Sequence, residues 1–216
     1  MKYLGRMLKI GILLGLVAAC AAFLLSCGQQ TRKDALEQAA SAVGFRYLGE
    51  AGASEIAAWK TLPSVAARDQ AFFSHVMAGP ESYSFDWTWR EGVLKEGKRE
   101  KQTVVAHRVA TSSIGTFVWT ARGGLRNAKK PKFGEMMTFP DEPGFADRFD
   151  VAGPDPEALR ARFSPERRAK LQLPPGLWVE GAGEWIVGFY PERELSPSEW
   201  AELVEVMKPV AAAFDD

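Results

Sequence analysis

The stretch Ser82-Tyr-Ser-Phe-Asp-Trp-Thr-Trp-Arg90 alternates without error between small or polar residues and aromatic ones. A period of two sends successive side chains to opposite faces of an extended chain. Tyr83, Phe85, Trp87 and Trp89 therefore share one face, and Ser82, Ser84, Asp86, Thr88 and Arg90 share the other. This pattern predicts a half-buried strand. A polar turn, Glu91 to Arg99, leads to Lys101–Val109, the natural antiparallel partner, and Thr116–Arg122 reads as a further strand.

Helical periodicity frames these strands. Ala35, Leu36, Ala39, Ala40 and Val43 fall on one face of a helix over Thr31–Val43, with Gly44 as its stop. Gly52–Ala67 fits neither period cleanly. Gly123–Gly144, rich in Gly, Pro and Lys, predicts a long irregular connection with room for a short helix. Phe145–Val151 alternates like a strand. Asp155-Pro-Glu157 and Ser164-Pro-Glu166 each open a helix, with a capping oxygen, a proline in the first turn and an acid at the positive end of the helix dipole. Leu177–Val179 and Trp185–Tyr190 flank Gly181-Ala-Gly183 as a tight hairpin. Ser196-Pro-Ser-Glu199 is a capping box, followed by an apolar stripe of Trp200, Leu203, Val204, Met207, Val210, Ala211 and Phe214. Pro209 lies inside that stripe and is expected to kink the helix or end it early. The stripe must bury against something, and the aromatic face of Ser82–Arg90 is the expected partner.

The order of elements predicts an α+β domain over 34–216, a mostly antiparallel sheet with helices packed on it, preceded by an N-terminal hydrophobic helix. The chain has 216 residues and two cysteines, Cys20 and Cys27. Beyond Cys27 there is none, so neither an internal disulfide nor a thiolate metal site can brace the body. Burial must hold it, and seven Trp and thirteen Phe supply the means.

Both cysteines sit in or beside an apolar run, Ile10–Ser26, which follows three basic residues and no acid. That charge order marks residues 1–26 as an export signal or membrane anchor, with 27–33 as a tether and the body outside the cytoplasm. The run is 17 residues long, at the lower edge of the ~17–25 that span a bilayer. Leu24-Leu-Ser-Cys27 resembles the lipobox of bacterial lipoproteins, which makes Cys27 the candidate lipid-bearing residue. Cleavage before Cys20 would instead leave Ala21–Leu25 exposed at the new N-terminus. An uncleaved transmembrane helix is the alternative, and both attach the chain to a membrane. The leader holds three of the 27 basic residues and none of the 27 acidic ones, so the body carries −3. That balance argues against a nucleic-acid partner.

DALEQAASAVGFRY from Asp34, AFFSHVMAGPESYSFDWTW from Ala71, KQTVVAHRV from Lys101, FADRFDVAGPDPEALRARFSPERRAKL from Phe145 and LWVEGAGEWIVGFYPERELSPSEW from Leu177 together resemble a family of uncharacterised bacterial membrane-anchored proteins. The likeness covers most of residues 34 to 214. It implies anchoring, by a transmembrane helix in many members, and implies no activity, so no catalytic residue is carried over.

Catalytic motifs are scarce. Gly92-Val-Leu-Lys-Glu-Gly-Lys98 satisfies the phosphate-loop spacing, but Arg99 stands where Ser or Thr must meet magnesium, and the stretch joins two strands. There is no G-x-S-x-G elbow. His75 and His107 lie in no metal-ligand or zincin spacing, and His107 shares a strand face with Val105 and Val109, where a hydrogen-bonded structural histidine is expected. Asp141 and Glu142, or Asp147 and Asp150, lack a second group to set their pKa values apart, and solvated surface is their default. No cofactor and no metal are expected. Two features point to binding. Tyr83, Trp87 and Trp89 form a candidate ligand or partner face for an apolar or sugar ligand, although at strand spacing such rings serve as core. Arg126, Lys129, Lys130 and Lys132, in a segment from Arg122 without an acid, are candidate contacts to anionic headgroups. The resulting expectation is a membrane-anchored module of the bacterial cell envelope with a binding or interaction role and a protein partner there. The alternative is a hydrolase-like enzyme with a loop-built site.

Overall fold

The computed structural model describes residues 31–68, 71–90, 99–110, 114–127 and 133–215. The chain is helical over 31–42 (α1), and the Phe45 N–H bonds back to the Ala40 carbonyl at 2.8 Å across Gly44, whose φ of +79° closes the helix. Strand β1 (Arg46–Gly49) follows, and the stretch that fits neither period becomes two short helices, α2 (Ala53–Trp59) and α3 (Pro63–Ala66). Strands β2 (Ala71–Ala78), β3 (Ser82–Arg90), β4 (Arg99–Arg108) and β5 (Phe117–Ala121) come next. The Gly- and Pro-rich connection contains α4 (Gly124–Asn127), β6 (Glu135–Met136) and α5 (Pro143–Ala146). Then come β7 (Phe149–Gly153), α6 (Pro156–Arg162), α7 (Pro165–Lys170), β8 (Trp178–Ala182), β9 (Trp185–Phe189) and α8 (Pro197–Ala212). The fold is α+β. The apolar run Ile10–Ser26 and Cys27 lie outside the described residues, among which no helix is long and apolar enough to cross a membrane.

Among the described residues the strands form one nine-stranded sheet, ordered β1-β2-β3-β4-β9-β8-β5-β7-β6, and every neighbouring pair is antiparallel. Strands β3, β9 and β5 thus run one way, and β2, β4, β8 and β7 the other. One end of the sheet carries the β2–β3 turn at Gly79–Glu81, the last residue of β4, Arg108, and the β8–β9 turn at Gly183-Glu184. The opposite end carries Arg90, Arg99 and the exits of β9 and β5.

Each face of the sheet has its own core. Trp59 of α2 with Leu62 and Val65 around α3 covers Phe85, Trp87, Trp89, Val104, Ala106 and Val187. The other face packs against Leu36 and Ala40 of α1, Leu159 of α6 and the whole stripe of α8. Both faces of β3 are therefore buried, not one. The physical reason lies in its polar side: Ser82, Ser84 and Asp86 are small enough to pass beneath helices, and Ser84 and Asp86 are hydrogen-bonded there. The Ser84 hydroxyl donates to the Val104 carbonyl at 2.7 Å, and the Thr103 hydroxyl donates to Asp86 Oδ1 at 2.7 Å. Arg32 of α1 donates to Asp86 Oδ2 through Nε at 3.1 Å and NH2 at 2.8 Å, and to the Leu195 carbonyl through NH1 at 2.9 Å. These bonds weld the beginning of α1 to the middle of β3 and to the segment that follows β9.

The partner of α8 is accordingly this small, polar face and not the aromatic one. Gly188 of β9 makes the close approach feasible, since a Cβ there would stand 2.2 Å from Met207 Sδ. The capping box of Ser196 and Glu199 is formed, and the helix continues three residues beyond Pro209. A proline this near the C-terminus removes only one helical bond. Asp155 and Ser164 cap α6 and α7 through the backbone N–H of Ala158 and Arg167. Phe145–Val151 is not a continuous strand: α5 ends at Ala146 and β7 begins at Phe149. Phe145 and Phe149, with ring centroids 5.0 Å apart, instead turn into the same core.

Asp141 and Glu142 are not merely solvated. They clamp Arg168 of α7, which is 1% exposed, through NH2 to Asp141 Oδ2 and Nε to Glu142 Oε2 at 2.7 Å. Its NH1 donates to the Phe163 carbonyl at 2.8 Å, and its guanidinium lies over Phe139.

Candidate functional site

A cleft of about 330 Å³ opens at the turn-bearing end of the sheet. That volume is at the lower end of the ~300–1,000 Å³ typical of small-molecule sites. Four elements build it. α2 supplies Ser54, Glu55 and Ala58, the β2–β3 turn supplies Pro80 and Glu81 beside Tyr83, and β4 with the β8–β9 turn supplies Arg108, Glu184 and Trp185. The last turn has two central residues, with Gly183 at φ +60° first and Glu184 second, so the Ala182–Trp185 pair is closed tightly. That geometry sets Glu184 beside Arg108, whose NH2 stands 2.9 Å from Glu184 Oε2.

The floor is aromatic. The Tyr83 and Trp185 rings meet edge to face with centroids 5.8 Å apart, and Tyr83 also meets Trp59 at 5.7 Å. The Tyr83 hydroxyl points to Glu55 Oε1 at 3.5 Å, and the Ser54 hydroxyl donates to Glu55 Oε2 at 2.8 Å. The Glu55 backbone N–H, and after it the Ser54 hydroxyl, hold the Glu55 carboxyl below its ordinary range. It is thus an ionised acceptor at neutral pH and a poor proton acceptor for Ser54. With Glu55, Glu81 and Glu184 against Arg108, the rim is net negative. Such a site repels phosphates and carboxylates, and it offers acceptors to hydroxyl or ammonium donors.

The sequence-derived candidates fall in different places. Tyr83 is half-buried in the cleft floor. Trp87 and Trp89 are 1% exposed and belong to the core beneath α3, with the Arg68 guanidinium 4.0 Å from the Trp89 ring. Arg126 belongs to α4, which follows β5 at the opposite end of the sheet from the cleft, and Lys129, Lys130 and Lys132 lie outside the described residues. Arg122 pairs with Asp147 at 2.6 Å, and Asp150 accepts from the Gly123 N–H at 2.7 Å. The phosphate-loop look-alike also lies outside them, between the paired strands β3 and β4. His107 faces α8, away from the cleft, and burial above all, then Lys208, lowers its pKa to about 4. It is a buried residue of β4, and its Nε2 has no hydrogen-bond partner among the described residues. His75 sits at the bulge of β2 with φ +51°, its Nδ1 2.8 Å from the Tyr47 hydroxyl. Among the described residues no three His, Cys, Asp or Glu side chains gather as a metal site.

Glu55, Arg108, Glu184 and Trp185 were not singled out from sequence. The hairpin turns could have placed Arg108 and Glu184 together, but Glu55 depends on a helix whose periodicity is unreadable. A further acid, Glu180 of β8, is 0% exposed on the α3 side of the sheet. It accepts from the Ser64 N–H at 3.0 Å, and burial raises its pKa to about 7.

No protein-family model and no curated protein sequence matches the chain. Among solved structures, the crystal structure of the mycobacterial trehalose monomycolate transport factor A, TtfA, is similar over 84% of this chain and 93% of that one, with a TM-score of 0.55 and 14% sequence identity. The likeness is one of fold.

Proposed function

We propose that this protein is a membrane-anchored, extracytoplasmic binding module of the bacterial envelope, and that the cleft under α2 takes a neutral, hydroxyl-rich ligand such as a sugar headgroup. The carrying observation is the pairing of an aromatic floor, Tyr83 and Trp185, with a rim of three carboxylates and one arginine. Rings offer flat apolar contact to the C–H face of a sugar, and carboxylates accept from its hydroxyls. The chain's fold likeness to a factor named for trehalose monomycolate transport agrees with a sugar-bearing ligand and a non-catalytic role. A glycosidase-like reading needs a carboxyl whose pKa is raised so that it can donate a proton. Glu55 is shifted the other way. Attachment is assigned to the apolar run before the tether, with Cys27 as the lipid-bearing residue or the run as an uncleaved helix.

Saturation-transfer NMR on the full chain in nanodiscs, with trehalose and maltose as probes, tests the cleft. Signal from at least one sugar is expected, with affinity about tenfold weaker in Tyr83→Phe and Arg108→Ala. Absence of transfer from both sugars, or transfer unchanged in both variants, sinks the assignment.

A further inference from the structure

Among the described residues, the row just beyond the start of α1 is left uncovered on the face that α1 and α8 otherwise fill. Phe72, Thr88 and Lys101 stand side by side across β2, β3 and β4, and Arg90 and Arg99 form the next pair outward on the same face. Phe72 is 62% exposed. Arg90 and Arg99 are directly opposite each other, exposed and without an acidic partner among the described residues. Like charges in direct cross-strand register weaken a strand pair, so packing gives no reason for them. Lys101 lies 3.6 Å from Glu194, which is shared with Arg32 at 3.2 Å.

The position of this strip is set by the chain itself. Arg32 is fixed to Asp86, the middle residue of β3, one same-face row from Thr88, and shares Glu194 with Lys101 of that row. From the end of the apolar run at Ser26 to Arg32 is six residue steps, at most about 20 Å of extended chain. Any membrane entered by that run is thus within reach of the strip, and an anionic surface acts over a Debye length of about 8–10 Å.

We propose that Phe72, Arg90, Arg99 and Lys101 form a docking surface for the headgroup layer of an anionic bilayer, with the phenyl ring entering the interface and the cations meeting lipid phosphates. The proposal rests on the membrane attachment proposed above. The cleft, at the opposite end of the sheet, is then held toward the aqueous side. Helix α4 follows β5 at the docking end.

Hydrogen exchange on the full chain in nanodiscs tests it, comparing phosphatidylcholine alone with a mixture containing about one third phosphatidylglycerol. Only Val76–Ala78 of β2 pairs with β1, so the alternate amides of Ala71–Ser74 that point away from β3 face an open outer edge and report any cover. Exchange there is expected to slow at least about fivefold in the anionic discs, the effect of one basic residue at such a surface. The protection is expected to vanish in the double variant Arg90→Glu, Arg99→Glu and, for the wild type, at 1 M salt. Equal exchange in both disc types overturns the proposal alone. Protection that persists in neutral discs and survives charge reversal also overturns it, by showing that another segment or a second copy covers the strip. A chain that leaves the discs at 1 M salt overturns the attachment reading, and the docking surface with it.

Discussion

The indole Nε1 of Trp200 donates to the Ser84 hydroxyl at 2.6 Å, joining α8 to the polar face of β3. The same hydroxyl donates to Val104, so one serine links helix, strand and neighbouring strand. Trp200 also meets Phe45, just past α1, edge to face at 5.5 Å.

Trp200→Ala should therefore destabilise the fold by roughly 3–5 kcal/mol, a large fraction of a typical domain's stability. Ser84→Ala, which leaves the buried indole N–H without its acceptor, should cost about 1–3 kcal/mol. Urea titrations of both variants give the answer. A Trp200→Ala midpoint within error of wild type would mean that α8 contributes little to the core.

Two buried groups make stability depend on pH in opposite directions. Native Glu180 keeps its proton to about pH 7, whereas the unfolded chain releases it near 4.5. Stability from this group therefore falls as pH rises through that window, by roughly 3 kcal/mol in total. Native His107 stays neutral down to about 4, whereas the unfolded chain takes up a proton near 6.5. Its contribution is present above 6.5 and is lost as pH falls toward 4. The two offset each other in the wild type. Relative to it, Glu180→Gln should gain stability as pH rises from about 4.5 to 7, and His107→Asn should lose the gain between about 4 and 6.5. Urea midpoints at several pH values decide this, and three parallel profiles would refute it.

Arg168 is buried with its two carboxylates toward solvent, so its removal costs packing and leaves the Phe163 carbonyl unmet. Arg168→Met should lose roughly 2–4 kcal/mol. Arg168→Lys should recover less than half of that, because one ammonium cannot reach Asp141, Glu142 and the Phe163 carbonyl in a fixed fork. Thermal unfolding of the two variants measures the difference, and full rescue by lysine would show that charge alone matters.

Local chemistry made much of this fold legible in the sequence. The period of two in Ser82–Arg90 forces a strand whichever face is buried, and the caps at Asp155, Ser164 and Ser196 satisfy helix donors within their own turn. Those choices depend on neighbours no more than four residues away. The tertiary structure decided what covers each face. Nothing local tells a small polar face bound for solvent from one bound for α8, because Ser84 and Asp86 find Trp200 and Arg32 only through chain separations of 116 and 54 residues. The cleft is of the same kind. Glu55, Arg108 and Glu184 come from three distant segments, and only the antiparallel order of the sheet, which carries two turns and a strand end to one edge beneath α2, brings them together.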